Sequence, residues 1–170
     1  MRIVVTGASQ GIGAATAKRL AQEPHAELFL IARNKNNLQQ VAIACEKQGA
    51  NAHVTPCDLT DETAVAGLRE LLLTGGPIDL LVNNAGVFEP ASFLETSTAQ
   101  FRHQLDVNLV SAFLVTRMLL PDMIDARRGM IVFMGSVASL SAYPGATAYC
   151  AAKHGLLGLA RAVREETKAA

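Results

Sequence analysis

Near its amino terminus the chain reads Ile3-Val4-Val5-Thr6-Gly7-Ala8-Ser9-Gln10-Gly11-Ile12-Gly13. Residues 3–6 form a continuous β-branched run, which is typical of a strand that is buried on both faces of a parallel sheet. A glycine-rich turn follows directly, and a helical pattern begins in its last residues and covers residues 12–22. The stretch therefore predicts a strand, a tight turn and a helix, the opening of a βαβ unit.

The spacing of the three glycines in this turn indicates a phosphate-binding loop. Gly7 allows the tight turn, Gly11 lets the backbone approach a pyrophosphate, and Gly13 lets the helix pack closely on the sheet. The free amides at the positive end of the helix would hold the phosphates. Further contacts are expected from Ser9, Gln10 and Ile12. The alternative is a purely structural turn, but the position between a strand and a helix favours a dinucleotide site.

Short apolar runs alternate with longer helical patterns along the rest of the chain. Strands are predicted at residues 27–32, 52–56, 78–82 and 130–135. Helices are predicted at residues 35–48, 61–74, 98–120 and 148–168. Such alternation predicts an α/β protein with a doubly wound parallel sheet, the three-layer α/β/α Rossmann fold, with right-handed crossovers.

Length and charge narrow the class of protein. The 170 residues fit one domain at roughly 150 residues per domain, so residues 1–170 are expected to form a single unit. Fifteen Lys and Arg residues balance 15 Asp and Glu residues, which argues against a nucleic-acid or membrane-surface protein. No run of about 18 apolar residues is present, so no membrane-spanning helix is expected.

Cysteine and histidine usage gives no sign of a metal or disulfide framework. Cys45, Cys57 and Cys150 are widely spaced and odd in number, so each is expected to be a reduced, buried residue. The four histidines have no acid or cysteine at ligand spacing, and no metal is predicted. Residues 1–6 are too short for the apolar core of a signal peptide, and we expect a cytoplasmic protein.

The end of the second strand bears on cofactor choice. Enzymes that prefer NAD usually place an acid here to bind the ribose hydroxyls, whereas a cation accommodates a 2′-phosphate. This chain has Ala32 at the expected position of the acid, then Arg33, whose guanidinium can grip a phosphate, and Asn34, which could add a donor. NADP(H) is therefore predicted over NAD(H). The alternative is a solvated arginine at a strand end.

A phenol and an ammonium lie four residues apart at Tyr149 and Lys153. On a helix these two positions share a face, so Lys153 would stabilise a phenolate and Tyr149 would act as general acid and base. Ser136, at the end of the fifth strand, could polarise a substrate carbonyl. The alternative is a solvent-facing lysine beside a packing tyrosine, but strand ends are where ligands bind in open α/β sheets.

Together these motifs resemble the short-chain dehydrogenase/reductase family, in its single-domain oxidoreductase branch. The resemblance rests on the glycine spacing, Asp58, Asn83-Asn84-Ala85-Gly86, Asn108, Ser136, Tyr149 and Lys153. It implies hydride transfer between a nicotinamide and a small-molecule carbonyl or alcohol. It also implies that Asp58 and Leu59 hold the adenine, that Asn83, Ala85 and Gly86 line the adenosine ribose, that Lys153 binds the nicotinamide ribose, and that Asn108 holds a relay water.

The chain departs from the family at its carboxyl end. Family members continue past residue 170 with a further strand, a substrate-covering helix and a last strand, so the domain is expected to be incomplete there, with the edge of the fifth strand uncovered. Without a lid, cofactor binding should survive better than turnover. A catalytically weak or silent NADP(H)-binding module is therefore the alternative function, and a methyltransferase is a poorer one. A homo-oligomer through helices 98–120 and 148–168 is also expected.

Overall fold

The computed structural model describes residues 1–168, and it confirms the predicted parallel sheet. The strands are β1 (Arg2–Thr6), β2 (Glu27–Ala32), β3 (Asn51–Pro56), β4 (Leu80–Asn83) and β5 (Met130–Phe133). All neighbours pair in parallel, in the order β3-β2-β1-β4-β5. The order reverses direction between β1 and β4, which makes the carboxyl ends of these two strands the topological switch point where open sheets bind ligands.

The described residues form six α-helices, of which the first five lie between strands and the sixth follows β5. They are α1 (Gly11–Leu20), α2 (Lys35–Glu46), α3 (Glu62–Leu73), α4 (Thr98–Leu105), α5 (Ser111–Asp125) and α6 (Thr147–Thr167). The helix predicted at 98–120 is in fact α4 and α5 joined by a π-helical turn, Asp106–Val110, and it continues through Pro121. The fifth strand is two residues shorter than predicted, because its pairing with β4 ends at Phe133.

Helices cover both faces of the sheet, which gives the predicted three layers. One apolar core lies under α1 and α2, with Ala17, Leu38 and Val41 packed against the strands. The second core lies under α3 and α5, with Leu72 and Leu119 at its centre. The central strands β1, β2 and β4 are almost entirely buried, which explains why their sequences read as nearly continuous apolar runs.

The outer edge of β5 is uncovered among the residues that the structure describes, as predicted. Met130 is 62% exposed, and the rest of the strand is half-buried. A groove of about 580 Å³ runs beside this edge, between the strand and the ends of α5 and α6. Exposed hydrophobic edges are normally avoided in natural sheets because they pair with other chains.

The structure corrects the expectation, drawn from composition alone, that no helix of this chain could span a membrane. The continuous helical segment Thr98–Asp125 is long and apolar enough to cross a membrane by length and composition. In this fold it packs against α3 and α6 and buries the polar side chains of Gln104 and Asn108. The core helix of a soluble domain passes the same test, so the segment is weak evidence for a membrane.

A charged cluster stabilises the amino-terminal edge of the sheet, opposite the ligand-binding edge. The carboxylate of Glu27 accepts a hydrogen bond from Arg2 Nε at 2.7 Å, and its other oxygen lies 3.1 Å from His53 Nε2. Burial alone would raise the pKa of Glu27, but the hydrogen bond and charge of Arg2, with a smaller contribution from His53, lower it overall.

We expect Glu27→Gln to lower the free energy of unfolding by about 1–2 kcal/mol at pH 7, because the charge-assisted bond to Arg2 is lost. The folded-state pKa of Glu27 is lowered, so its stabilisation is fully present above the ordinary pKa of 4.5 and is lost as the pH falls through the folded value. Urea unfolding of the wild-type chain and of Glu27→Gln should show a difference in the free energy of unfolding that becomes smaller in acid.

Glu23→Gln is the matched control for this experiment. Glu23 pairs with Arg19 on the surface of the protein at 2.9 Å, where both side chains are well exposed, so its loss should change stability little. An equal loss for the two variants, or a loss at Glu27 that is the same at every pH, would contradict the assignment of the stabilisation to the Glu27 carboxylate.

Candidate functional site

A cavity of about 530 Å³ lies along the carboxyl ends of all five strands. Most of the residues predicted to bind cofactor or to act in catalysis line it: Gly7, Ser9, Gln10, Gly11, Ile12, Arg33, Asn34, Asp58, Leu59, Ala85, Gly86, Asn108, Tyr149 and Lys153. Three predicted residues do not line it: Gly13, Asn83 and Ser136. The fold therefore brings predicted residues from four strand ends together with Asn108, Tyr149 and Lys153 in one site.

The glycine loop has the geometry of an anion cradle. Gly7 and Gly11 have φ values of +64° and +56°, in the left-handed region that favours glycine. A side chain built on Gly11 meets nothing within 4 Å, so the backbone here faces open space. Helix α1 starts at Gly11 without a side-chain cap, whereas Asn34 and Asp61 cap α2 and α3. Its first amides are therefore available to a phosphate, and the loop fits a dinucleotide.

Asn84 ties this loop to the end of β4. Its Nδ2 donates to the carbonyl oxygens of Thr6 at 3.0 Å and Gly7 at 3.3 Å. A Cβ on Gly13 would lie 2.4 Å from this nitrogen and 2.3 Å from the Gly7 oxygen. Gly13 therefore acts as predicted, by letting the helix approach the sheet, although it lies outside the cavity.

The prediction that Asn83 lines the cofactor site is corrected by the structure. Its side chain is 3% exposed and points into the core, where Nδ2 donates to Thr116 Oγ1 at 2.9 Å. Adjacent residues of an extended chain face opposite sides of the sheet, so Asn84 of the same motif, which was given no role of its own, lines the cavity instead.

Two side chains of opposite charge, Arg33 and Asp58, line the end of the cavity near β2 and β3. Arg33 is exposed and forms no ion pair with the residues described. The Thr60 amide and hydroxyl donate to Asp58 Oδ1 at 3.0 and 2.8 Å, and these bonds, with the charge of Arg33, lower the pKa of Asp58. Asn34 uses its side-chain oxygen to cap α2, which leaves its amide nitrogen as the group able to donate to a ligand.

At the other end of the cavity, Tyr149 and Lys153 lie on one face of α6, as predicted. Lys153 Nζ is 5.7 Å from the centroid of the Tyr149 ring and donates to the Met134 carbonyl at 2.9 Å. Lys153 is only 4% exposed, and this burial lowers its pKa. The Tyr149 ring is half-buried and packs against Phe88, with centroids 4.9 Å apart at 52°.

Asn108 lies in the π turn, beside the lysine. Its side chain is 1% exposed, and Oδ1 accepts from Val87 N at 3.2 Å while Nδ2 donates to Val87 O at 2.8 Å. A Cβ on Gly86 would lie 2.8 Å from Asn108 Oδ1 and 3.7 Å from Lys153 Nζ, so these three residues meet at one point. Single π turns are frequent at functional sites.

Ser136 is placed differently from the prediction. Its Oγ accepts from Ala138 N at 3.2 Å, and its amide donates to Ser139 Oγ at 3.1 Å, so the two serines cap a short 3₁₀ turn, Val137–Ser139. The hydroxyl proton is not used by this cap. Ser136 therefore sits at the rim of the site, outside the wall of the cavity.

Comparison with protein families agrees with this geometry. The family described as "short chain dehydrogenase" matches residues 1–170, the whole sequence. The chain belongs to the short-chain dehydrogenase family. The resemblance drawn from the sequence motifs is confirmed, and with it membership in a family of oxidoreductases.

Individual short-chain dehydrogenases are similar over nearly the whole chain. Dehydrogenase/reductase SDR family member 7 of Mus musculus is 34% identical over 171 residues, which cover 98% of this chain and 50% of that protein. Estradiol 17-beta-dehydrogenase 11 of Rattus norvegicus is 34% identical over 169 residues, covering 98% and 56%. A metagenomic short-chain oxidoreductase, solved in complex with NADP, superposes with a TM-score of 0.94 at 36% identity, covering 99% and 76%.

The chain thus spans only about half the length of these two curated short-chain dehydrogenases. The aligned part contains the sheet β1–β5, the glycine loop and the pair on α6. The family's fold is shown for this part.

Proposed function

We propose that this chain carries the cofactor site and the proton-transfer pair of an NADP(H)-dependent reductase or dehydrogenase that interconverts a carbonyl and an alcohol. One observation carries the proposal. A single cavity has an uncapped helix amino terminus and Arg33 at one end, and Tyr149, Lys153 and Asn108 at the other.

The residues along the cavity suit a dinucleotide phosphate. The first amides of α1 would bind the pyrophosphate, and Arg33 would bind the 2′-phosphate that distinguishes NADP from NAD. Asp58, held as a carboxylate by Thr60, would accept from the adenine amino group. The NADP complex of the metagenomic relative supports this choice of cofactor. When bound, the nicotinamide supplies or accepts the hydride.

The chain's own residues move the proton. In reduction, the Tyr149 hydroxyl donates its proton to the substrate oxygen, and in oxidation the phenolate takes it back. The buried ammonium of Lys153 stabilises the phenolate, because opposite charges interact strongly where water is excluded. Asn108 would hold the water through which the tyrosine is reprotonated. The Ser136 hydroxyl, whose proton is free of the cap, would donate to the same substrate oxygen.

The test is a calorimetric titration of NADPH and NADH into the purified chain, followed by steady-state assays with a panel of ketones, aldehydes and quinones. We expect binding of both nucleotides with NADPH preferred, and NADPH-dependent reduction of at least one carbonyl. If neither nucleotide bound, the proposed cofactor site would be overturned. Binding without any turnover would favour the silent module over the enzyme.

Arg33→Ala should weaken NADPH binding by about tenfold to a hundredfold and leave NADH binding nearly unchanged, because it removes a charge-assisted contact to the 2′-phosphate. The same titrations measure both effects. Arg161→Ala, which removes an exposed arginine on α6, serves as the control and should affect neither nucleotide. Equal weakening of NADPH and NADH by the Arg33 substitution would show that Arg33 does not read the phosphate.

A further inference from the structure

Helix α4 buries only one of its eight residues, and that residue is polar. Gln104 is 2% exposed, whereas the other seven residues of the helix are partly or fully exposed. A buried glutamine needs partners for both ends of its amide, because an unsatisfied polar group in the core is costly. The partners of Gln104 therefore show what the side chain is there to do.

Both ends of the Gln104 amide bind the backbone of one residue, Glu89. Its Oε1 accepts from Glu89 N at 3.2 Å, and its Nε2 donates to Glu89 O at 3.0 Å. Glu89 lies in the irregular segment 84–90 that follows β4 and crosses the cavity. This segment has no strand or helix of its own to satisfy its amides and carbonyls, so a side chain supplies them.

One helical turn later, Asn108 holds Val87 in the same way, with one donor and one acceptor. Alternate residues of an extended chain present their backbone groups to the same side, so two side chains spaced by one helical turn can hold residues 87 and 89 together. The Asn108 Nδ2 also donates to the Gln104 carbonyl at 2.8 Å. We call Gln104 and Asn108 the amide ladder.

Phe88 is the residue between the two that the ladder holds, and its ring packs on Tyr149 with centroids 4.9 Å apart. The segment is anchored again beyond the ladder, where Ala91 N donates to Gly145 O at 3.0 Å, just before α6. Phe88 and Tyr149 both line the cavity. The position of the tyrosine ring therefore depends on a backbone that Gln104 holds.

We propose that Gln104 is a positioning residue for Tyr149, acting through Glu89 and Phe88. The inference rests on the proposed function, in which Tyr149 transfers the proton. Gln104 does not line the cavity, so it does not touch cofactor or substrate. It fixes the segment that sets the ring of Phe88 against Tyr149, and small displacements of a reacting group cost large factors in rate.

The test uses Gln104→Met, which keeps the length of the side chain and removes both hydrogen bonds, and Gln104→Glu, which turns the donor toward Glu89 O into an oxygen. Gln100→Glu is the matched control. Gln100 is exposed on the same helix and accepts from Ser97 N, a role that glutamate fills equally well. Each substitution is made in the wild-type chain and in Phe88→Leu.

We expect each Gln104 variant to lower kcat about tenfold while the Kd for NADPH stays within about twofold, since only the tyrosine end of the site moves. In the Phe88→Leu background a Gln104 substitution should lower kcat by only about twofold or less, because the changes at Phe88 and Gln104 interrupt the same chain of contacts. Gln100→Glu should match wild type. A full tenfold loss in the Phe88→Leu background, or an unchanged kcat, would overturn the proposal.

A second measurement is independent of activity. The chain has two tyrosines and no tryptophan, so the ring resonances of Tyr149 can be assigned by NMR with the help of Tyr143→Phe. Gln104→Met should shift these resonances toward their position in Phe88→Leu, and Gln100→Glu should not. If the wild-type chain proves inactive, the proposed function fails, but the resonances still decide the positioning role. Unmoved resonances in Gln104→Met would overturn it.

Discussion

Tyr149→Phe is expected to lower kcat by about 10²- to 10⁴-fold, because it removes the hydroxyl that transfers the proton. The Kd for NADPH should stay within about threefold of wild type, since phenylalanine keeps the ring and its packing on Phe88. Steady-state kinetics with the best carbonyl of the panel give the first quantity, and calorimetry gives the second. The separation of the two effects is the signature of a group that acts on the reacting atoms.

Tyr143→Phe is the control, because it deletes the same hydroxyl from the chain's other tyrosine. Tyr143 is 41% exposed, and its substitution should leave kcat near that of wild type. Turnover that persists in Tyr149→Phe would show that another group transfers the proton. A wild-type chain that binds NADPH yet reduces nothing would make Tyr149 irrelevant to function and leave the silent nucleotide-binding module.

Gly13→Ala is expected to destabilise the fold by about 1–3 kcal/mol and to weaken NADPH binding by at least about tenfold. The added methyl group would lie 2.3 Å from Gly7 O and 2.4 Å from Asn84 Nδ2. Backbone cannot yield as a flexible side chain can, so the start of α1 must move and the Asn84 amide must leave the glycine loop. Urea unfolding and calorimetry measure the two effects.

Gly158→Ala makes the same chemical change inside α6, where the new methyl group would meet nothing within 4 Å. It should raise stability by up to about 1 kcal/mol, since alanine is the better helix former. If Gly13→Ala behaved like Gly158→Ala in both measurements, the close approach of α1 to the end of β4 would not be what holds the loop.

The parts of the fold that were predictable from sequence are those in which one physical cause acts locally. Strand positions that are buried on both faces must be apolar, so residues 3–5 and 28–32 are visible as continuous apolar runs. The loop at Gly7 and Gly11 is visible because positive φ favours glycine. The i, i+4 spacing of Tyr149 and Lys153 places them on one helix face without any tertiary information.

The predictions that were wrong or missing concern side chains whose placement depends on a strand boundary or on a partner distant in sequence. Strand β4 extends to residue 83, one residue further than predicted, and the alternation of side chains along it turns Asn83 to the core and Asn84 to the cavity. The Ser136 hydroxyl oxygen accepts a hydrogen bond within a local turn, and the sequence alone does not show which backbone amide a serine oxygen will bind. Gln104 finds its partner in a segment without periodicity, 15 residues earlier in the chain.

The π turn also limits how the length of this helix can change. In the turn, Ser111 N bonds to Asp106 O, five residues back, so the turn carries one residue more than a regular helix would. Each residue rotates a helix by about 100°, so deleting one of these five residues would swing α5 round relative to α4. Asn108 could then no longer meet Val87 while Thr116 meets Asn83. A single-residue deletion that the surface turn after α2 tolerates should therefore not be tolerated in the π turn.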